Sequence, residues 1–290
     1  MATPEQWLAG ARPRTLPAAV APVLAGTGVA AYLDAAVWWK ALLALVVALA
    51  LQVGVNYAND YSDGVRGTDE DRVGPMRLVG SGTATPDEVK HAAFIAFGVA
   101  ALAGLVLALT SAWWLLLVGA VCVAAAWYYT GGSKPYGYHA LGEVMVFVFF
   151  GLVAVVGTTY VQAGTAPLAA WFAASGVGAL ACAILVANNL RDIPTDREVG
   201  KRTLAVVLGD EQTRYLFAFL VAVAAILLLG VALETGPFAM LGLAYLATAW
   251  PATRLVLGGA EGRALIPVLQ KVGVAEILYA AGIFLGIAFA

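Results

Sequence analysis

The chain has 290 residues, of which 62% are hydrophobic and only 12% charged, and its formal net charge is −2. A soluble domain carries about 25% charged residues, so this composition excludes a soluble enzyme or a basic nucleic-acid binder and points to a polytopic membrane protein. Both cysteines, Cys122 and Cys182, lie inside apolar runs, which leaves neither a disulfide framework nor a zinc site.

Nine apolar runs are long enough to cross a bilayer as helices, at about 16–33, 37–57, 88–110, 112–130, 139–161, 167–189, 213–233, 237–257 and 268–289. The expected fold is an all-α membrane helix bundle of nine transmembrane helices, a single domain over 1–290 with motif loops at about 58–87 and 190–212. Arg12, Pro13 and Arg14 precede a proline-bearing run with no cleavage region, so that run reads as a retained span and not as a signal peptide. Basic residues fall on one side: Arg12, Arg14, Arg66, Arg72, Arg77, Lys90, Lys134, Arg191, Arg197, Lys201, Arg202, Arg214, Arg254, Arg263 and Lys271. Lys40 alone is opposite. The positive-inside rule then predicts a plasma-membrane protein with its N-terminus and motif loops in the cytoplasm and its C-terminus outside. Trp38, Trp39, Trp113 and Trp114 sit at outer span ends and read as an aromatic belt. The second and sixth helices correspond, which predicts a four-plus-four internal repeat with a ninth helix.

The second run ends in NYANDYSDGVRGTDEDRVGPMRLVGSG. Asn56 and Asp60 are four residues apart, Asp63 adds a second carboxylate about one turn on, and Arg66, Arg72 and Arg77 follow. The fourth-to-fifth connection reads YYTGGSKPYGY; Gly131 and Gly132 permit close backbone approach, Lys134 adds charge, and Tyr128, Tyr129 and Tyr136 offer rings. The sixth run ends in NNLRDIPTDREVGKRTL, where Asn188, Asp192 and Asp196 repeat the four-residue spacing and Lys201 and Arg202 follow. Pro194 predicts that the helix does not stay straight through Asp196, which is then presented from a loop or a kinked turn. His91 and His139 match no ligand pattern, and Glu143 and Glu276 lie within spans, where acids face the bundle interior.

Two carboxylate motifs, each behind an asparagine, at a span end and before basic residues, predict a bound cation with a held anion. Oxygen ligands from carboxylates and phosphates are the usual surroundings of Mg2+. Asp60, Asp63, Asp192 and Asp196 are the expected metal ligands, assisted by Asn56 and Asn188. Four carboxylates and a diphosphate sum to about −7, two Mg2+ reduce this to about −3, and three basic groups balance it. Arg66, Lys134 and Lys201 are the first candidates; Arg202, Arg72 and Arg77 come next. Metal-held diphosphate is a leaving group, and a membrane cavity suits a long apolar tail. Departure from an allylic chain leaves a cation that an aromatic face such as that of Tyr128 shields. No nucleophilic Ser, Cys or His stands ready, so the acceptor is a second substrate.

The two motifs, the nine spans and the YTGG loop resemble the UbiA-type intramembrane aromatic prenyltransferases. ARPRTLPAAVAPVLAGT, YTGGSKPYGYHALGE and the two motif strings resemble, within that family, the branch acting on 1,4-dihydroxy-2-naphthoate. The resemblance covers nearly the whole chain. It implies attack of the naphthoate ring on a polyprenyl diphosphate, with loss of CO2 and diphosphate and formation of demethylmenaquinone. It also implies that the family's aspartate motifs fall on Asp60, Asp63, Asp192 and Asp196. The first motif departs from the commoner spacing: Gly64 stands four after Asp60, and whether Asp69 joins the set stays open. DYSDG also opens a CDP-alcohol phosphatidyltransferase signature, but Gly67 and Thr68 follow in place of its Ala-Arg. An ion-coupled transporter would place its acids near the midplane on broken helices, whereas these lie at span ends.

Overall fold

The computed structural model describes residues 2–67, 76–133 and 135–288. Asp69, Arg72 and Lys134 lie outside the described residues. All secondary structure among the described residues is helical apart from one isolated bridge between His139 and Arg202. Helix α1 (Pro4–Gly10) starts at a Thr3 capping box with Gln6. The chain then turns at Arg12, which has φ +53°, and enters α2 (Pro17–Tyr32), bent by 50° from the segment before it. The remaining helices are α3 (Trp38–Arg66), α4 (Pro86–Thr110), α5 (Leu115–Tyr128), α6 (Gly142–Ala163), α7 (Leu168–Glu198), α8 (Leu204–Leu208), α9 (Asp210–Thr235), α10 (Pro237–Leu257) and α11 (Gly262–Ala288).

Seven of these helices, α3, α4, α6, α7, α9, α10 and α11, are long and apolar enough to cross a membrane, and the bent N-terminal pair makes an eighth. The ninth expected span corresponds to α5, which has only 14 residues. At 1.5 Å per residue it is about 21 Å long, against about 30 Å of hydrocarbon.

Helix α7 is the axis. Its most apolar stretch is 72% buried within the bundle, and α2, α6, α9 and α11 pack around it. Its first six turns are rich in Ala and Gly, which lets backbones approach where side-chain packing must replace a hydrophobic driving force. Gly151 of α6 meets Gly178 of α7: a Cβ on Gly151 would stand 2.7 Å from the Gly178 Cα. Around that contact, residues 147–156 of α6 are wound as a π-helix. At the end of the bundle remote from the motifs, Lys40 Nζ donates to the Thr110 carbonyl (3.0 Å), Ser111 Oγ (2.9 Å) and the Val161 carbonyl (2.8 Å). Lys40 thus caps the last turns of α4 and α6.

Candidate active site

Helix α3 does not stop at 57 but runs to Arg66, where Gly67 ends it in the left-handed conformation at φ +72°. Asn56, Asp60 and Asp63 therefore share one helical face. A strap at 76–84 lies across that face. The Leu78 and Val79 amides donate to Asp60 Oδ2 (2.8 Å) and Oδ1 (3.0 Å), and Leu78 is buried in a cluster with Ala11, Tyr57 and Ala58. Gly64 has no room for a side chain: a Cβ there would stand 2.6 Å from the Val79 Cβ. The departure from the four-residue spacing thus has a steric cause, because the strap fills the place a carboxylate would take. Arg77 reaches back from the strap to Asp63 Oδ2 at 3.4 Å.

Helix α7 likewise continues past its apolar run to Glu198, with Pro194 inside it. The helix is not interrupted at Pro194, so Asp196 stands on the helix and not on a loop. Pro194 stands in the last turns, and Ile193 and Asp196 on either side are buried; surrounding packing of this kind lets bundle helices keep a proline. Asp192 and Asp196 are consequently one turn apart. Arg191 grips Asp192 with two bonds, Nε to Oδ1 at 2.6 Å and Nη2 to Oδ2 at 2.7 Å, and also donates to Asn188 Oδ1 at 2.8 Å. Asp196 has Lys201 Nζ at 3.8 Å and Thr203 Oγ1 at 3.5 Å.

The loop between α5 and α6 lies between the two motifs. Arg66 donates to the Thr130 and Gly132 carbonyls, and Thr130 Oγ1 donates to Asn59 Oδ1 at 2.7 Å. Tyr136 donates to the Ala125 carbonyl at 2.6 Å, and burial holds its phenol well above the ordinary range, so it remains a donor. Tyr138 donates to Asp63 Oδ1 at 2.8 Å.

These parts close one end of a 1310 Å³ cavity between α2, α3, α4, α5, α6 and α7. Its apolar flank includes Val47, Leu51, Leu107, Leu115, Phe149 and Phe150; its polar end includes Arg12, Arg14, Asn59, Asp63, Arg77, Asn188, Asn189, Arg191 and Lys201. The N-terminal bend carries Arg12 and Arg14 there. Asn56 holds that bend, donating from Nδ2 to the Ala11 carbonyl and to Thr15 Oγ1, each at 2.9 Å.

Of the residues expected from sequence, Asn56, Asp63, Tyr128, Asn188 and Lys201 line this cavity. Asp60, Asp192 and Asp196 are buried just behind it, while Arg66 and Arg202 are exposed. Arg12, Arg14, Asn59, Arg77, Asn189 and Arg191 are further polar cavity groups. Arg12, Arg14 and Arg191 entered the sequence reading only as topological charges; Arg77 stood there as a second-rank anion ligand. Asn189 also donates to Glu143 Oε1 at 2.9 Å, which gives that membrane acid a partner. No three His, Cys, Asp or Glu side chains among the described residues stand together as a metal cage. The donor chemistry is that of a hard cation: carboxylate oxygens from two helices, each set beside a cation, with room in the cavity for oxygens from a ligand.

An all-helical membrane bundle holding an apolar chamber, with carboxylates and guanidinium groups at one end, is built to receive an amphiphile with an anionic head. The chain belongs to the UbiA prenyltransferase family, whose model matches residues 19–264. It is 58% identical over 289 residues to the 1,4-dihydroxy-2-naphthoate octaprenyltransferase of Mycobacterium tuberculosis, covering 100% of this chain and 99% of that one. It is 56% identical over 280 residues to the protein of the same name from Mycobacterium leprae, covering 97% and 95%. Its fold is similar to that of a UbiA homolog from Archaeoglobus fulgidus bound to DMAPP and Mg2+, with a TM-score of 0.68 over 98% of this chain and 99% of that one, at 19% identity.

Proposed function

We propose that the protein transfers the chain of a polyprenyl diphosphate to 1,4-dihydroxy-2-naphthoate, releasing CO2 and diphosphate and giving demethylmenaquinone for menaquinone biosynthesis. The observation that carries this reading is the continuous 1310 Å³ chamber, apolar along its flank and ionic at one end. The name shared by relatives at 58% and 56% identity supplies the acceptor.

The carboxylates suit Mg2+ shared with the diphosphate, two ions on the charge count. Asp63, Asp192 and Asp196 are the residues we assign to it. Bound there, Mg2+ would neutralise charge on the departing diphosphate. Asp60 gives both oxygens to main-chain amides of the strap, whereas Asp192 is held by Arg191, a side chain that lines the chamber and can turn to a phosphate, so we assign Asp60 to holding the strap that carries Arg77. Arg77, Arg191 and Lys201 line the chamber and are the cations at hand for phosphate oxygens. Arg66 and Asn56 are committed to main-chain carbonyls, which supports a wall-building role for both. Tyr128 lines the chamber and offers a ring face to an allylic cation. The apolar flank keeps water from competing with the naphthoate ring for that cation.

The test is turnover in membrane fractions with carboxyl-labelled 1,4-dihydroxy-2-naphthoate and a polyprenyl diphosphate. One labelled CO2 per chain transferred is expected, together with inhibition by EDTA. A prenylated product that keeps the label, or equal turnover of 4-hydroxybenzoate, would move the protein to another acceptor.

The same reading places the ionic end in the cytoplasm of a plasma-membrane protein and the C-terminus outside. It counts the bent N-terminal pair and α5 as spans, for nine in all. The pairing of each motif helix with the next long helix, α3 with α4 and α7 with α9, supports a four-plus-four repeat.

A further inference from the structure

Tyr138 does not line the chamber, yet it touches an ionic group of each motif. Its hydroxyl donates to Asp63 Oδ1 at 2.8 Å. Its ring has the Arg66 guanidinium 5.5 Å and the Lys201 ammonium 5.0 Å from its centroid. Its carbonyl accepts from the Arg202 amide at 3.2 Å, within the isolated bridge of His139 and Arg202. We propose that Tyr138 is a positioning residue: it fixes the Asp63 carboxylate and the Lys201 ammonium relative to each other before a diphosphate arrives. The inference rests on the prenyl diphosphate reading above and adds a residue to that site.

Each contact has a separate consequence. A carboxylate turns freely about its last torsion unless donors fix its plane. Here Tyr138 holds Oδ1 and Arg77 approaches Oδ2 at 3.4 Å, so the remaining lone pairs of Asp63 point in set directions. Donors of this kind behind a ligating group tune its affinity for a metal. Lys201 is a flexible side chain whose carboxylate partner, Asp196, is 3.8 Å away. The negative face of the Tyr138 ring is a second anchor for its ammonium. The main-chain bond from Arg202 keeps that ring in register with the residue next to Lys201. The loop is itself pinned, by Arg66 on the Thr130 and Gly132 carbonyls and by the Gly137 amide on the Tyr129 carbonyl at 3.0 Å. Two cations and one carboxylate from motifs more than a hundred residues apart in sequence thus meet on one side chain.

The hydroxyl and the ring can be separated by substitution. The full chain in nanodiscs would be titrated with farnesyl thiolodiphosphate, an unreactive analogue, with and without Mg2+. Tyr138→Phe keeps the ring and removes the bond to Asp63. It should bind the analogue within about twofold of wild type without Mg2+ and require about tenfold more Mg2+ for its metal-dependent binding. Tyr138→Leu removes both contacts and should weaken metal-free binding about fivefold to tenfold. Tyr138→Trp keeps a cation-attracting ring without the phenol and should follow Tyr138→Phe; Tyr138→Met, which also lacks a ring, replaces the leucine variant if that one does not fold. Wild-type binding with the phenylalanine variant unaltered in its Mg2+ requirement would overturn this assignment alone. So would equal metal-free loss in the phenylalanine and leucine variants. A wild type that ignores the analogue would overturn the transferase reading and this assignment together.

Discussion

Asp60 and Asp192 are both buried aspartates on motif helices, but they meet different partners. Asp60 accepts two backbone amides and Asp192 a bidentate guanidinium. Asp60→Asn turns one acceptor into a donor facing an amide, so the strap should loosen. The expected outcome is faster proteolysis within 76–84 and a raised KM for the prenyl diphosphate. Asp192→Asn instead leaves the buried Arg191 charge underpaired and removes a proposed metal ligand. Its kcat should fall by about a hundredfold or more, and the strap should keep the wild-type cleavage rate. Equal strap cleavage in the two variants would contradict the separate roles. Gly64→Asp would restore the commoner aspartate spacing, yet it should inactivate the enzyme, because its Cβ collides with Val79. A membrane turnover assay of that single variant decides the point.

At the scale of elements, the close pairing of α6 and α7 through Gly151 and Gly178 supports one wall of the chamber. Gly151→Leu should lower stability by about 2–3 kcal/mol through overpacking, visible as a lower melting temperature in detergent. It should also disturb its chain neighbours Phe149 and Phe150, which line the chamber. The order of the helices and the two motif faces were legible in the sequence, because apolar run length and four-residue spacing are local properties. The ends of α3 and α7 were not. Asn56 to Arg66 looks like loop composition, but its helical form rests on the strap, which contacts Asp60 from 18 residues downstream. Pro194 is a strong local signal for a loop, yet the helix continues through it among buried neighbours. The cavity positions of Arg12 and Arg14 depend on the latch from Asn56 to Ala11, 45 residues apart, and no spacing within either segment announces it. Tyr138 escaped notice for the same reason: its partners come from both motifs.

For the whole molecule, orientation is testable by labelling. In a background without Cys122 and Cys182, a single cysteine at Ser81 should react with an impermeant thiol reagent only in inverted vesicles, and one at Gly164 only from outside. Both positions are exposed. Labelling of both from the same side would sink the nine-span topology. Lys40 does not weigh against that orientation, because its charge is spent on the ends of α4 and α6.

Helix α5, with its 14 residues, has a consequence for the lipid around it. Trp113 and Trp114 mark one end as interfacial anchors, and the helix ends only 14 residues on at Tyr128. On the nine-span reading proposed above, the bilayer beside α5 thins by several ångströms to meet both ends, at a modest cost for each ångström of mismatch. On that reading the dimple would lie against the chamber wall, to which Leu115, Leu116 and Val118 contribute. Acyl chain length in the host membrane then becomes a control on the enzyme. Reconstituted in phosphatidylcholines of increasing thickness, the protein should lose activity and thermal stability as the chains lengthen, and short-chain lipid should restore both.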